Sequence, residues 1–197
     1  MELKEIVGQY LDESARVKKL VAQTCVPDIG TAIDLIVGAF QAGNKLMICG
    51  NGGSAADAQH MAAEFTSRLT KEFDRPSLPA LALTTDTSFI TAFANDCGYE
   101  GVFARQIEGL GKPGDVLLGI TTSGGSRNVL MAIEQCQKMG IHVIALTGES
   151  GLRSGTAEAV IAVPSQDTQF VQESHLSIEH IICAQVEQRL YGEASEA

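Results

Sequence analysis

His60 and Glu64 stand four residues apart in the stretch GNGGSAADAQHMAAEF, residues 50–65. On a helix that spacing puts both on one face. An imidazole and a carboxylate so placed can ligate a metal or work as an acid–base pair. A solvated hydrogen bond is the commoner origin of such a pair. A second group lies far along the chain in VQESHLSIEH, residues 171–180, where Gln172, Glu173, His175, Glu179 and His180 crowd beside Val171 and Ile178. Glu173 and Glu179 read as a solvated face, and His175 and His180 as either site residues or satisfied core histidines. Gln172 and His180 are eight residues apart, about 12 Å of helical rise. They serve one site only if long side chains converge, the helix is irregular near Gln172, or subunits share the site.

Two turns carry further chemistry. Gly50-Asn51-Gly52-Gly53-Ser54 leads into a helix at Ala55, with glycines for close backbone approach and free N–H groups at the helix start. Gly50, Gly52 and Ala55 also meet a loose dinucleotide fingerprint. That fingerprint needs an acidic residue about 20 positions on, and Asp86 is 36 beyond Gly50, so no nucleotide cofactor is expected. Thr121-Thr122-Ser123-Gly124-Gly125-Ser126 sets four hydroxyls around two glycines. Hydroxyls, backbone N–H groups and a helix dipole can together cradle a phosphate. The P-loop pattern, with its lysine for a nucleotide's outer phosphates, is absent. The plainer reading is that Ser123 or Ser126 caps the next helix.

Positioning these groups requires a scaffold, and the hydrophobic pattern supplies one. Continuous apolar runs recur at Lys45–Cys49, Ala80–Thr84, Val116–Ile120, His142–Leu146 and Val160–Val163, as in parallel strands buried on both faces. Helical segments at 54–69, 88–110 and 126–139 alternate with them, and a long helix closes the chain at about 168–190. The alternation predicts an α/β fold: a doubly wound, five-stranded parallel sheet flanked by helices. Two helices at the N-terminus precede it, so residues 1–36 read as a helical extension for oligomerisation and 37–197 as the α/β domain. In such sheets ligands bind beyond the carboxyl ends of the strands, where both turns fall.

The net charge of −10 argues against nucleic acid. No apolar run approaches the length of a membrane span, and no signal peptide pattern opens the chain. Five scattered cysteines without metal-site spacing suit free thiols in the cytoplasm. An anion bound by so acidic a chain must rely on local donors, which the hydroxyl turn provides.

The pieces at 50–65, Ala94-Asn95-Asp96, 114–129 and 171–180 together resemble the SIS (sugar isomerase) family, most closely its phosphoheptose isomerase branch. The resemblance runs in order over nearly the whole chain. It implies the SIS fold, a homotetramer with active sites at subunit contacts, and conversion of sedoheptulose 7-phosphate to D-glycero-D-manno-heptose 7-phosphate. By resemblance Asn51, Gly52, Gly53, Asn95, Asp96 and Gln172 contact substrate, and Thr121, Thr122, Ser123 and Ser126 hold phosphate. Glu64 resembles the family's base and His180 its acid partner. His60, Glu64, Gln172 and His180 match its zinc positions. Thr121 stands where serine is common, and the hydroxyl survives. Aldose–ketose exchange through an enediol needs a base and an acid or metal, which these residue types supply. Two other readings of the resemblance remain: a non-catalytic SIS module that binds sugar phosphates or a protein such as a replication initiator, and an isomerase for another sugar phosphate or an amidated-sugar enzyme of the same fold.

Overall fold

The computed structural model describes residues 2–71, 74–152 and 155–192. Helices α1 (Leu3–Thr24) and α2 (Val26–Gln41) meet at Cys25, with Pro27 in the first turn of α2, where a missing N–H costs no backbone bond. The alternation then begins: β1 (Leu46–Cys49), α3 (Gly53–Thr66), β2 (Ala80–Ala82), α4 (Thr87–Cys97), α5 (Val102–Leu110) and β3 (Val116–Thr121). It continues through α6 (Arg127–Met139), β4 (His142–Thr147), β5 (Ala159–Ala162) and α7 (Thr168–Tyr191). The five strands pair in parallel in the order β2-β1-β3-β4-β5.

Both β1 and β3 are buried at every residue, which accounts for their unbroken apolar runs. Their side chains alternate between two cores, as strand geometry requires. Leu46, Ile48, Val116 and Leu118 join residues of α1, α2, α3 and α7. Met47, Cys49 and Leu117 join residues of α5 and α6 on the other face. The strand order reverses direction between β1 and β3, which is the topological switch point where such sheets hold ligands. The Gly50–Ser54 and Thr121–Ser126 turns follow those two strands.

One feature departs from the sequence pattern. The helix expected over 88–110 breaks after Cys97, where Gly98 takes φ 92° and a 3-10 turn covers Tyr99–Gly101. A Cβ on Gly101 would stand 2.9 Å from the Phe93 ring, so glycine permits that tight return. Helix α2 runs through residues 36 and 37, and its Ile33, Ile36 and Ala39 are packed into the sheet's own core. Among the described residues no single helix is long and apolar enough to cross a membrane.

Candidate active site

The site is built where α3 and α7 lie side by side. A Cβ on Gly53 would fall 2.7 Å from Gln172 Nε2, and further along His60 Nε2 lies 2.9 Å from His180 Nε2. The two helices therefore advance in the same direction, and residues far apart in sequence meet. Glu64 Oε1 is 3.3 Å from His60 Nε2, with its side chain 18% exposed. One ligand-type atom each from His60, Glu64 and His180 falls within 4.8 Å of the others. Gln172 stands a helical stretch away from this cluster, against Gly53. Because α7 is unbroken from Thr168 to Tyr191, helix irregularity does not close the gap.

Glu179, expected on a solvated face, lies instead in the interior. Its side chain is buried, with neither carboxylate oxygen hydrogen-bonded. Burial, and the nearby Asp57, push its pKa up to about 8, which keeps it neutral at pH 7. The expectation failed because α7 is covered on more than one side, so a polar residue between apolar ones need not face water. Asp57, one turn before His60, has a buried unpartnered Oδ2 and a pKa raised by burial. Glu173 is partly exposed but fully engaged: Tyr10 Oη donates to it at 2.6 Å, Lys18 Nζ at 3.3 Å, and Ser14 Oγ also donates. The hydroxyl bonds from Ser14 and Tyr10 hold its carboxyl below the ordinary range. His175 is a core histidine, with Nε2 3.0 Å from the Thr147 carbonyl, and burial lowers its pKa to about 4.

The two turns are linked to each other. Asn51 and Asn128 exchange amide hydrogen bonds of 2.9 and 2.8 Å, and Tyr99 Oη donates to Asn51 Oδ1 at 3.1 Å. Asn128, at the end of the hydroxyl turn, and Tyr99 have no role assigned from sequence, and only the fold brings them to the glycine turn. A Cβ on Gly50 would lie 2.7 Å from the Ser54 carbonyl, so the turn closes on glycine. In the hydroxyl turn, Thr121 Oγ1 donates to Ser126 Oγ at 3.0 Å, and Gly125 N donates to Ser123 Oγ at 3.2 Å. Ser126 occupies the N-cap of α6 without a side-chain cap bond, which leaves the plainer reading of that serine unsupported. Asn95 and Asp96 lie exposed on α4, Asn95 Nδ2 donating to Asp96 Oδ1 at 2.8 Å.

These features define a doubly wound α/β protein whose two polar turns follow the strands on either side of the sheet's switch point. Residues 9–148 match the SIS domain family, and the chain belongs to that family, in its phosphoheptose isomerase branch. A phosphoheptose isomerase from Akkermansia muciniphila is 50% identical over 166 residues, covering 84% of this chain and 87% of its own. The solved phosphoheptose isomerase from Neisseria gonorrhoeae superposes with a TM-score of 0.86 at 39% identity, covering 95% of this chain and 100% of its own. That from Francisella tularensis gives 0.89 at 36% identity, with the same coverage.

Proposed function

We propose that the chain is a phosphoheptose isomerase, converting sedoheptulose 7-phosphate to D-glycero-D-manno-heptose 7-phosphate. The observation that carries this reading is the meeting of His60, Glu64 and His180 at the α3–α7 seam, in a chain whose relatives of that name match most of its length. Glu64 takes a proton from C1 of the ketose while the C2 oxygen gains one, giving an enediol. Returning a proton to C2 and removing one from the C1 oxygen completes the aldose. Glu64 handles the carbon-bound protons, and His180 carries protons between the two oxygens. Thr121, Thr122, Ser123 and Ser126 hold the phosphate, and Asn51, Gly52, Gly53, Asn95, Asp96 and Gln172 orient the sugar.

Two imidazole nitrogens and a carboxylate form a donor set that fits zinc. His60, Glu64 and His180 would hold it, and Gln172 would join by extension or from a second subunit. Bound there, zinc would polarise the sugar's carbonyl and hydroxyl oxygens. Exposed Leu3, Leu11, Val26 and Ile181, and an apolar cavity of about 340 Å³ between α1, α2 and α7, support α1 and α2 as the oligomerisation region of a homotetramer. Free thiols at all five cysteines suit a cytoplasmic protein. The test is incubation of the purified protein, supplied with zinc, with sedoheptulose 7-phosphate, followed by NMR. A new aldose is expected, and binding without turnover would replace the isomerase with a sensing module.

A further inference from the structure

The segment between α3 and β2 holds a basic residue that the proposed chemistry does not use. Arg75 is 1% exposed at its side chain, and its partner Glu187, on α7, is 2% exposed. A guanidinium has five N–H donors, and here all five are taken. Nε donates to Glu187 Oε1 at 2.7 Å, and Nη2 also donates to that oxygen. Nη1 donates to the Phe65 and Pro76 carbonyls at 2.8 and 3.0 Å, and Nη2 to the Glu64 carbonyl at 2.8 Å. The last four carbonyls of a helix have no partner within it, and a cation there is favoured by the helix dipole. Arg75 therefore caps α3 through the backbone of Glu64 itself. The same group grips Glu187, seven residues and two turns beyond His180 on α7.

We propose that Arg75 is a positioning residue, a buried clamp that fixes α3 against α7 so that Glu64 and His180 meet in register. The proposal rests on Glu64 and His180 acting as described above. Lysine would keep the charge pair but offers three donors from one point where the fork uses five. Misplacement of a reacting group by about 1 Å can cost about 100-fold in rate. The phosphate turn sits on β3 and α6 and is not part of the clamp.

The experiment measures kcat, KM and Tm of zinc-supplied Arg75→Lys with sedoheptulose 7-phosphate, well below Tm. A fall in kcat of roughly 10- to 100-fold, with KM within about twofold, is expected. An Arg75→Met/Glu187→Leu double variant is read in the same way. It removes both buried charges, so neither is left unpaired if the lysine variant fails to fold. A purely structural ion pair predicts wild-type kcat in any variant that folds, and that result overturns the proposal. So does a loss confined to KM. If Glu64→Gln itself keeps full turnover, the reading of the base fails instead, and the two failures are told apart.

Discussion

The hydroxyl turn at 121–126 and the α3–α7 seam are both built from polar residues, yet they are organised differently. The turn is local: its donors are consecutive residues, partly open to water, bonded mostly among themselves. The seam draws Asp57, His60, Glu64, Arg75, Glu179, His180 and Glu187 from three separate stretches, several of them buried. A turn of the first kind can lose a hydroxyl and keep its backbone donors. In the seam every polar group depends on the packing of two helices. Damage to the turn should thus appear mainly as weaker binding, and damage to the seam mainly as lost chemistry.

The sharpest way to break that contrast is Glu64→Gln. The amide keeps the shape but cannot accept the C1 proton, so kcat should fall roughly 100- to 10,000-fold, with KM little changed. Steady-state kinetics on sedoheptulose 7-phosphate checks it, and near-normal turnover would move the base elsewhere, with Asp96 next in line. The metal comes second. His60→Ala and His180→Ala should each weaken zinc binding by about 100-fold or more, beyond the roughly 10- to 100-fold cost of losing an outer partner. Competition with a chromophoric chelator measures this without any turnover, and unchanged zinc affinity in both variants would overturn the proposed metal site at the seam.

Loss of two hydroxyls should be milder. Ser123→Ala/Ser126→Ala should lower kcat/KM roughly 10- to 100-fold, largely through KM, with a smaller fall in kcat because phosphate binding helps hold the carbons against the base. Since Ser126 makes no side-chain cap bond, Tm should shift little. Calorimetric titration with the sugar phosphate beside the turnover assay separates the two effects. A loss in kcat alone would contradict the division between turn and seam.

The same division marks what the sequence could disclose. The two turns were legible because glycine and hydroxyl chemistry works over consecutive residues, and the strands because burial on both faces leaves continuous apolar runs. His60 and Glu64 were legible as a helix pair. That His180 would meet them followed only from family resemblance, since spacing says nothing about contacts between helices so far apart in sequence. Arg75 gave no signal at all: a basic residue in a polar connection looks like any solvated arginine until its carbonyl partners are placed. Glu179 misled because helix periodicity identifies one apolar stripe, whereas α7 is packed against α1, α2 and α3.

The smallest effect concerns stability rather than rate, and it tests the burial that sets the seam apart. Glu179 has its pKa raised by burial to about 8 from an ordinary 4.5, and His175 has its pKa lowered by burial to about 4 from 6.5. The folded protein therefore holds a proton on Glu179 that the unfolded chain releases above 4.5. That stabilisation is complete below 4.5 and is lost as pH rises through 8. His175 runs the other way: its contribution is complete above 6.5 and is lost as pH falls through 4. Each linked proton gives a slope of about 1.4 kcal/mol per pH unit, so the two slopes oppose each other between 4.5 and 6.5. Above 6.5 only Glu179 acts, and stability declines toward pH 8. Glu179→Gln removes that slope. Thermal unfolding of chelator-treated protein should show the wild type losing Tm between pH 6.5 and 8 relative to the variant. The variant should in turn gain Tm more steeply between pH 4.5 and 6.5, where His175 is no longer opposed. A difference between the two proteins that stays constant across both ranges would mean that Glu179 is ionised in the fold, and the seam would then be as open to water as the turn.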